Sequence, residues 1–166
     1  MIVLLAELFL DGRLSIRPER SYSLAESLSR NRGADQPEEL WTPWGVTERS
    51  GGLRVRQIPP DRLADFLASN AIGICLLGDG SWNRMALESG RIEEIWIRWL
   101  PQFGGGDEEP FVSEFQPAAG ARLPLRLVQW RREEEGGIIG YYAVLPKEAT
   151  KGNENGSRNP YSFRRV

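Results

Sequence analysis

The chain has 166 residues, a formal net charge of −2 and no histidine. The missing imidazole excludes His-based acid/base catalysis, Ser-His and Cys-His nucleophile pairs and the commonest transition-metal ligand, and the near-neutral charge provides no global basic field for non-specific DNA binding. At this length one core can bury about two thirds of the unfolded surface, which predicts a single β-rich globular domain over residues 1–146 and a flexible tail over 147–166.

The apolar run from Ile2 to Leu10 reads as an interior strand, because both of its alternating sets are apolar except for Glu7. It has no basic leader and is too short to span a bilayer, which points to a cytoplasmic protein. Asp11-Gly12 favours a tight turn into Arg13–Arg17 and so a first hairpin. Glu7 is then either a buried functional acid or the cross-strand partner of Arg13 or Arg17. Ser23-Leu-Ala-Glu26 fits a capping box for a short helix, with Leu24 and Leu28 on one face and Gly33 as a stop. Trp41 and Trp44 flank Pro43, either as a stacking platform or as a plug at the end of the core. Around Ser50-Gly51-Gly52 a second hairpin is predicted, placing Arg54 and Arg56 on one face. With Arg98 or Arg126 beside them these would track phosphates; the alternative is a salt-bridged strand face. Pro59-Pro60-Asp61 opens a helix whose Leu63, Phe66 and Leu67 form an apolar face.

From Asn70 to Leu100 the pattern predicts a three-stranded meander. Ala71–Leu77 is a continuous apolar run that suits a strand buried on both faces, and it contains the only cysteine, Cys75. A lone thiol there cannot form an internal disulfide, is inert, and favours a reducing compartment. Asp79-Gly80 is a strong hairpin signal, Ser81–Glu88 the return strand and Ser89-Gly90 a second turn. Ile92–Leu100 alternates, with Ile95, Ile97 and Trp99 facing the core and Glu94, Trp96 and Arg98 facing water or a partner. The glycine run Gly104–Gly106 would cradle a phosphate but for the acidic Asp107-Glu-Glu109 that follows it and would repel one. Phe111–Phe115 reads as a short strand. A last hairpin joins Leu123–Glu133 to Ile138–Leu145 at Gly136-Gly137, with Leu123, Leu125 and Leu127 on one face and Arg126, Val128, Trp130 and Arg132 on the other. The tail ends in Tyr161, Phe163, Arg164 and Arg165, a tip that either docks onto a partner or frays.

These elements sum to an α+β fold, a predominantly antiparallel sheet of about seven to nine strands built of hairpins and meanders, with two short helices packed on it. Chemistry is sparse. Glu93 and Glu94 point to opposite faces, Glu133–Glu135 sits at a hairpin end, and no histidine or nearby cysteine completes a metal set. Three fragments carry a resemblance: Leu77-Gly-Asp-Gly-Ser-Trp82, the early Ala6–Leu14 stretch, and Leu125–Trp130 through Gly136-Gly137. Together they resemble the small accessory subunit of type III-D CRISPR effector complexes. That resemblance implies a non-catalytic subunit of an RNA-guided antiviral ribonucleoprotein, contacting other protein subunits and RNA. The expectation is therefore an assembly subunit, not an enzyme, without cofactor, metal or membrane. Its binding surface would comprise Arg54, Arg56, Trp96, Arg98, Arg126, Trp130 and Arg132, with Tyr161, Phe163, Arg164 and Arg165 as tail contacts. The alternatives are a stand-alone single-strand binder using its Trp/Arg faces and a small enzyme acting through carboxylates.

Overall fold

The computed structural model describes residues 1–15, 17–32, 36–45, 52–69, 73–113 and 123–146. The first strand, β1 (Ile2–Leu8), is buried along all 7 of its residues and lies inside the sheet, as a run apolar on both faces requires. The chain crosses through α1 (Ser21–Arg32) to β2 (Glu39–Thr42) and then β3 (Arg54–Gln57). It returns through α2 (Leu63–Ala68) to β4 (Ile74–Leu76), and through α3 (Gly80–Glu88) to β5 (Glu94–Trp99). A hairpin of β6 (Leu125–Arg132) and β7 (Ile138–Val144) completes the 7-stranded sheet, in the order β3-β2-β4-β1-β5-β7-β6. β1 to β5 are mutually parallel, and β7 runs antiparallel to both of its neighbours.

The fold is thus α/β with a mixed, mostly parallel sheet, and the α+β antiparallel expectation is corrected. The decisive segment is 79–88. Asp79-Gly80 does not turn a hairpin; Asp79 caps α3, its Oδ1 accepting from the Trp82 amide at 2.8 Å. Trp82, Met85 and Ala86 follow helical spacing and pack on the core, so the period there is 3.6 rather than 2. Gly90, at φ +67°, ends that turn region where a meander turn was expected. Asp11-Gly12 does reverse the chain, but only a single antiparallel bridge, Leu8 to Leu14, follows it, and β1 pairs instead with β4 and β5. The Arg54–Gln57 strand pairs parallel to Glu39–Thr42 rather than within a hairpin; the Ser50-Gly51 turn lies outside the described residues. Both predicted helices are present, joined by the third, α3. The expected capping box is not used, since Ser23 Oγ donates to the Arg20 carbonyl inside a helix that starts at Ser21. The β6–β7 hairpin forms, with Gly136 at φ +89° in the turn, but a register shift between Leu127 and Gln129 breaks the expected alternation and sets Trp130 and Arg132 on the face of Leu125 and Leu127, opposite Arg126. Residues 111–113 form no strand, and 114–122 and the tail lie outside the described residues.

Two apolar clusters sandwich the sheet. Ile2, Leu4, Ala6 and Leu8 pack with Leu63 and Leu67 of α2 and with Trp82 and Ala86 of α3. Val3 and Leu5 face the other way, against Tyr22, Leu24, Ala25 and Leu28 of α1. β1 and β4 are therefore adjacent parallel strands whose onward connections leave to opposite faces. In open α/β sheets the carboxyl ends of the strands at such a switch point are where ligands bind.

Candidate functional site

The carboxyl end of β1 carries its only charged side chain. Glu7 is 2% exposed, on the face shared with Val3 and Leu5, and the β1–β5 register sets Arg98 beside it. Arg98 Nη1 donates to Glu7 Oε2 at 3.5 Å. The same guanidinium donates from Nε and Nη2 to Glu133 in the β6–β7 turn, at 3.0 and 2.5 Å. Ser15 Oγ donates to Glu7 Oε1 at 3.1 Å, and Arg20, just before α1, approaches that oxygen at 3.7 Å. Burial would lower the Arg98 pKa; the hydrogen bonds and charge of Glu133, then of Glu7, outweigh it and hold the guanidinium above its ordinary value. The partners of Glu7 are thus Arg98 and Arg20 and not Arg13 or Arg17, because β1 has parallel neighbours. Arg13 instead donates to the Glu108 carbonyl at 2.5 Å. In the first turn of α1, Tyr22 Oη is buried with no hydrogen-bond partner among the described residues.

On the α3 side of the sheet, a strap of residues 108–113 is laid across the carboxyl edge. Leu14 N donates to Glu109 O at 2.8 Å and Phe111 N to Gly12 O at 3.2 Å, fastening the strap to the loop after β1. Ser113 N donates to Gly80 O at 3.0 Å and Asn83 Nδ2 to Phe111 O at 2.9 Å, fastening it to α3. Gly80 must be glycine, since a Cβ there would lie 2.3 Å from Ser113 Oγ and 2.6 Å from Pro110 O. Glu109 Oε2 accepts from the Gly80 amide at 3.3 Å, beside the Asp79 cap on Trp82 N.

The expected binding surface does not assemble on one face. Arg54 and Arg56 lie on β3 and Arg126, Trp130 and Arg132 on β6, at opposite edges of the sheet. Arg54 pairs with Glu39 at 3.2 Å, and Arg56 stacks over Phe66, 5.3 Å from the ring centre. Trp96 was expected outward; it is 0% exposed, meets Tyr141 edge to face at 5.4 Å and donates from Nε1 to Glu94 at 2.6 Å. In a parallel sheet covered on both faces, both sets of an alternating strand are core. Arg98 belongs to the Glu7 cluster, and Trp130, 62% exposed, stands on β6 near the exposed Leu127. Tyr161, Phe163, Arg164 and Arg165 lie outside the described residues. Cys75 is buried, and burial pushes its thiol well above the ordinary range. No group of three or more candidate ligands for a metal exists among the described residues, and none of the described helices is long and apolar enough to cross a membrane.

No protein-family model matches the chain, and comparison with curated proteins gave no match. Solved structures do match. A pyrimidine reductase-like protein from Corynebacterium diphtheriae superposes with a TM-score of 0.54 at 14% identity, covering 87% of this chain and 92% of that one. The chain shares that protein's fold. A protein described as acting in riboflavin biosynthesis, from Shewanella sp. PV-4, matches at 0.52 and 13% identity over 87% of this chain and 99% of its own. RibD from Acinetobacter baumannii matches at 0.52 and 13% identity over 87% of this chain, which spans 58% of the RibD chain. These neighbours correct the resemblance to a CRISPR accessory subunit, and with it the expectation of a non-enzymatic, antiviral, RNA-guided assembly subunit. Two of the three fragments behind that resemblance are not hairpins: 6–14 is the end of β1 and a loop closed by one bridge, and 77–82 is the start of a helix.

Sequence reasoning flagged Glu7 and Arg98 but not their pairing, which depends on parallel register between segments 91 residues apart. The sequence pattern places Asp79 in a turn and Glu109 in a loop. The signal available for Asp79 was the helical spacing of Trp82, Met85 and Ala86 behind it.

Proposed function

We propose that this chain is a small-molecule enzyme of the reductase-like type, taking a polar, pyrimidine-class substrate at the carboxyl edge of its parallel strands, on the face that α1 covers. The observation that carries this reading is the Glu7 carboxylate. It is almost wholly buried at the carboxyl end of an interior strand, yet of its contacts at 3.1, 3.5 and 3.7 Å only the Ser15 bond is of ordinary length. A buried carboxylate has about four acceptor positions, and those left over suit the ring and amino N–H donors of a pyrimidine. Arg98 supplies positive charge beside it, and the Tyr22 hydroxyl, unpartnered among the described residues, supplies a donor at the same end of the sheet. The names of the structural neighbours support reduction as the reaction class.

Reduction needs a hydride donor, and a dinucleotide donor in an open α/β sheet places its pyrophosphate on a helix N-terminus at the switch point. The residues at the start of α3 do not fit that group. Its Gly80 and Trp82 amides already serve the carboxylates of Glu109 and Asp79, which would repel a phosphate.

The test is calorimetric titration of wild-type protein and Glu7→Gln with uridine and cytidine, with thermal melts confirming that both are folded. Binding by the wild type, weakened about tenfold or more in Glu7→Gln, is expected, since hydrogen bonds to charged groups contribute about 1.5–3 kcal/mol. Equal binding by both proteins, or none by either, would refute the proposal.

A further inference from the structure

We infer that the α3 N-terminus is a self-neutralised anion site, in which Asp79 and Glu109 stand where phosphate oxygens would sit, so that the carboxyl edge selects ligands without a phosphate at that position. This deepens the proposed function and rests on it for the remainder of the ligand. The first-turn amides of an α-helix are donors without intrahelical partners, and the helix dipole adds partial positive charge there, so such a terminus attracts an anion. Here the chain supplies its own. Asp79 Oδ1 takes the Trp82 amide at 2.8 Å and Glu109 Oε2 takes the Gly80 amide at 3.3 Å.

The second carboxylate is not a chance approach. Its strap is held at both ends, by Leu14 N on Glu109 O and Phe111 N on Gly12 O on one side and by Ser113 N on Gly80 O on the other. The strap thus joins the loop after β1 to the start of α3 at the carboxyl edge of the sheet. Gly78 offers no space either, since a Cβ there would lie 2.5 Å from the Trp82 ring, so the strand-to-helix turn is filled by the chain's own side chain. Two carboxylates on first-turn amides two residues apart leave a phosphate facing like charge at hydrogen-bond distance. The ligand that remains compatible is a nucleoside or base, or a donor whose phosphates lie elsewhere.

The experiment is a titration of the 15N-labelled chain with inorganic pyrophosphate, following the Gly80 and Trp82 amide resonances. It compares wild type, Glu109→Gln and Asp79→Asn/Glu109→Gln. Asn caps helices about as well as Asp, and Glu109→Gln alone, at an exposed residue, keeps the native cap, so at least one variant retains the fold. The wild-type amides are expected to stay unmoved at millimolar pyrophosphate. In Glu109→Gln they shift, and in the double variant affinity rises about tenfold or more above wild type. Shifts of those two amides in wild type would overturn the inference. So would a double variant as unresponsive as wild type, because the carboxylates would then not be what closes the site. Uridine titrated into the same samples reads the proposed function separately. If pyrophosphate behaves as expected and no protein binds uridine, the substrate reading falls and the closed terminus stands.

Discussion

Replacing Arg98 by methionine removes the cation between two carboxylates while keeping much of the side-chain volume. Glu7, with its side chain 3% exposed, is left with Ser15 Oγ at 3.1 Å and Arg20 at 3.7 Å, and the Arg20 side chain is 60% exposed. Breaking a buried pair by removing one partner costs about 3–5 kcal/mol. The Arg98 side chain is still 20% exposed, so water reaches the site and the low end, about 3 kcal/mol, applies. For a chain of this size that is a fall of roughly 6–12 °C in Tm. Glu7→Gln costs less, about 1–2 kcal/mol, because Arg98 keeps its fork on Glu133. In the double variant Arg98→Met/Glu7→Gln the unpaired buried charge is gone, so the cost is smaller than the sum of the singles by about 1.5 kcal/mol or more. Urea unfolding of the four proteins gives that coupling. Additivity within about 0.5 kcal/mol would refute the claim that Glu7 and Arg98 act as a pair.

Other perturbations test separate parts of the structure. Gly78→Ala forces a Cβ to within 2.5 Å of the fully buried Trp82 ring, and a loss of about 2–3 kcal/mol in urea unfolding is expected. Gly12→Ala meets no atom within 4 Å but keeps φ at +79°, so it costs only about 1 kcal/mol. Glu94 has its pKa below the ordinary 4.5: burial acts to raise it, and the hydrogen bonds of Arg32 and Trp96 with the Arg32 charge outweigh burial. The native state then binds the proton less readily than the unfolded chain, so this stabilisation is full above pH 4.5 and is lost as pH falls through the lower native value. Glu94→Gln is accordingly expected to flatten the acid limb of a stability–pH curve. Cys75, buried with its thiol pKa raised, is expected to resist an aromatic disulfide reagent at neutral pH and to react fully in denaturant.

What the sequence made legible was local. The interior character of β1 and β4, the helices at α1 and α2 and the β6–β7 hairpin follow from runs and spacings within about twenty residues. What it hid was non-local or ambiguous. Asp-Gly is both the best hairpin turn and, through Asp, a good helix cap; at residues 79–80 the following Trp82, Met85 and Ala86 favour the cap, and at 11–12 the turn forms without a hairpin. Once 81–88 is helix, β4 and β5 are joined by a crossover, and parallel pairing follows, because parallel strands need such a connection. The error at Trp96 has the same origin. Its alternation with Ile95 and Ile97 signals a one-sided strand, but α1 and the β7 residue Tyr141 cover the second face. The Glu7–Arg98 pair, being a register contact of parallel strands, became visible only with the fold.

The carboxyl-edge site is tested most directly by mapping uridine onto the 15N-labelled chain. Backbone shifts at Leu8, Ser15, Tyr22 and Arg98, with the β3 and β6 edges at Arg56 and Trp130 unmoved, are the expected result. Shifts confined to those outer edges, with the carboxyl end of β1 silent, would contradict it.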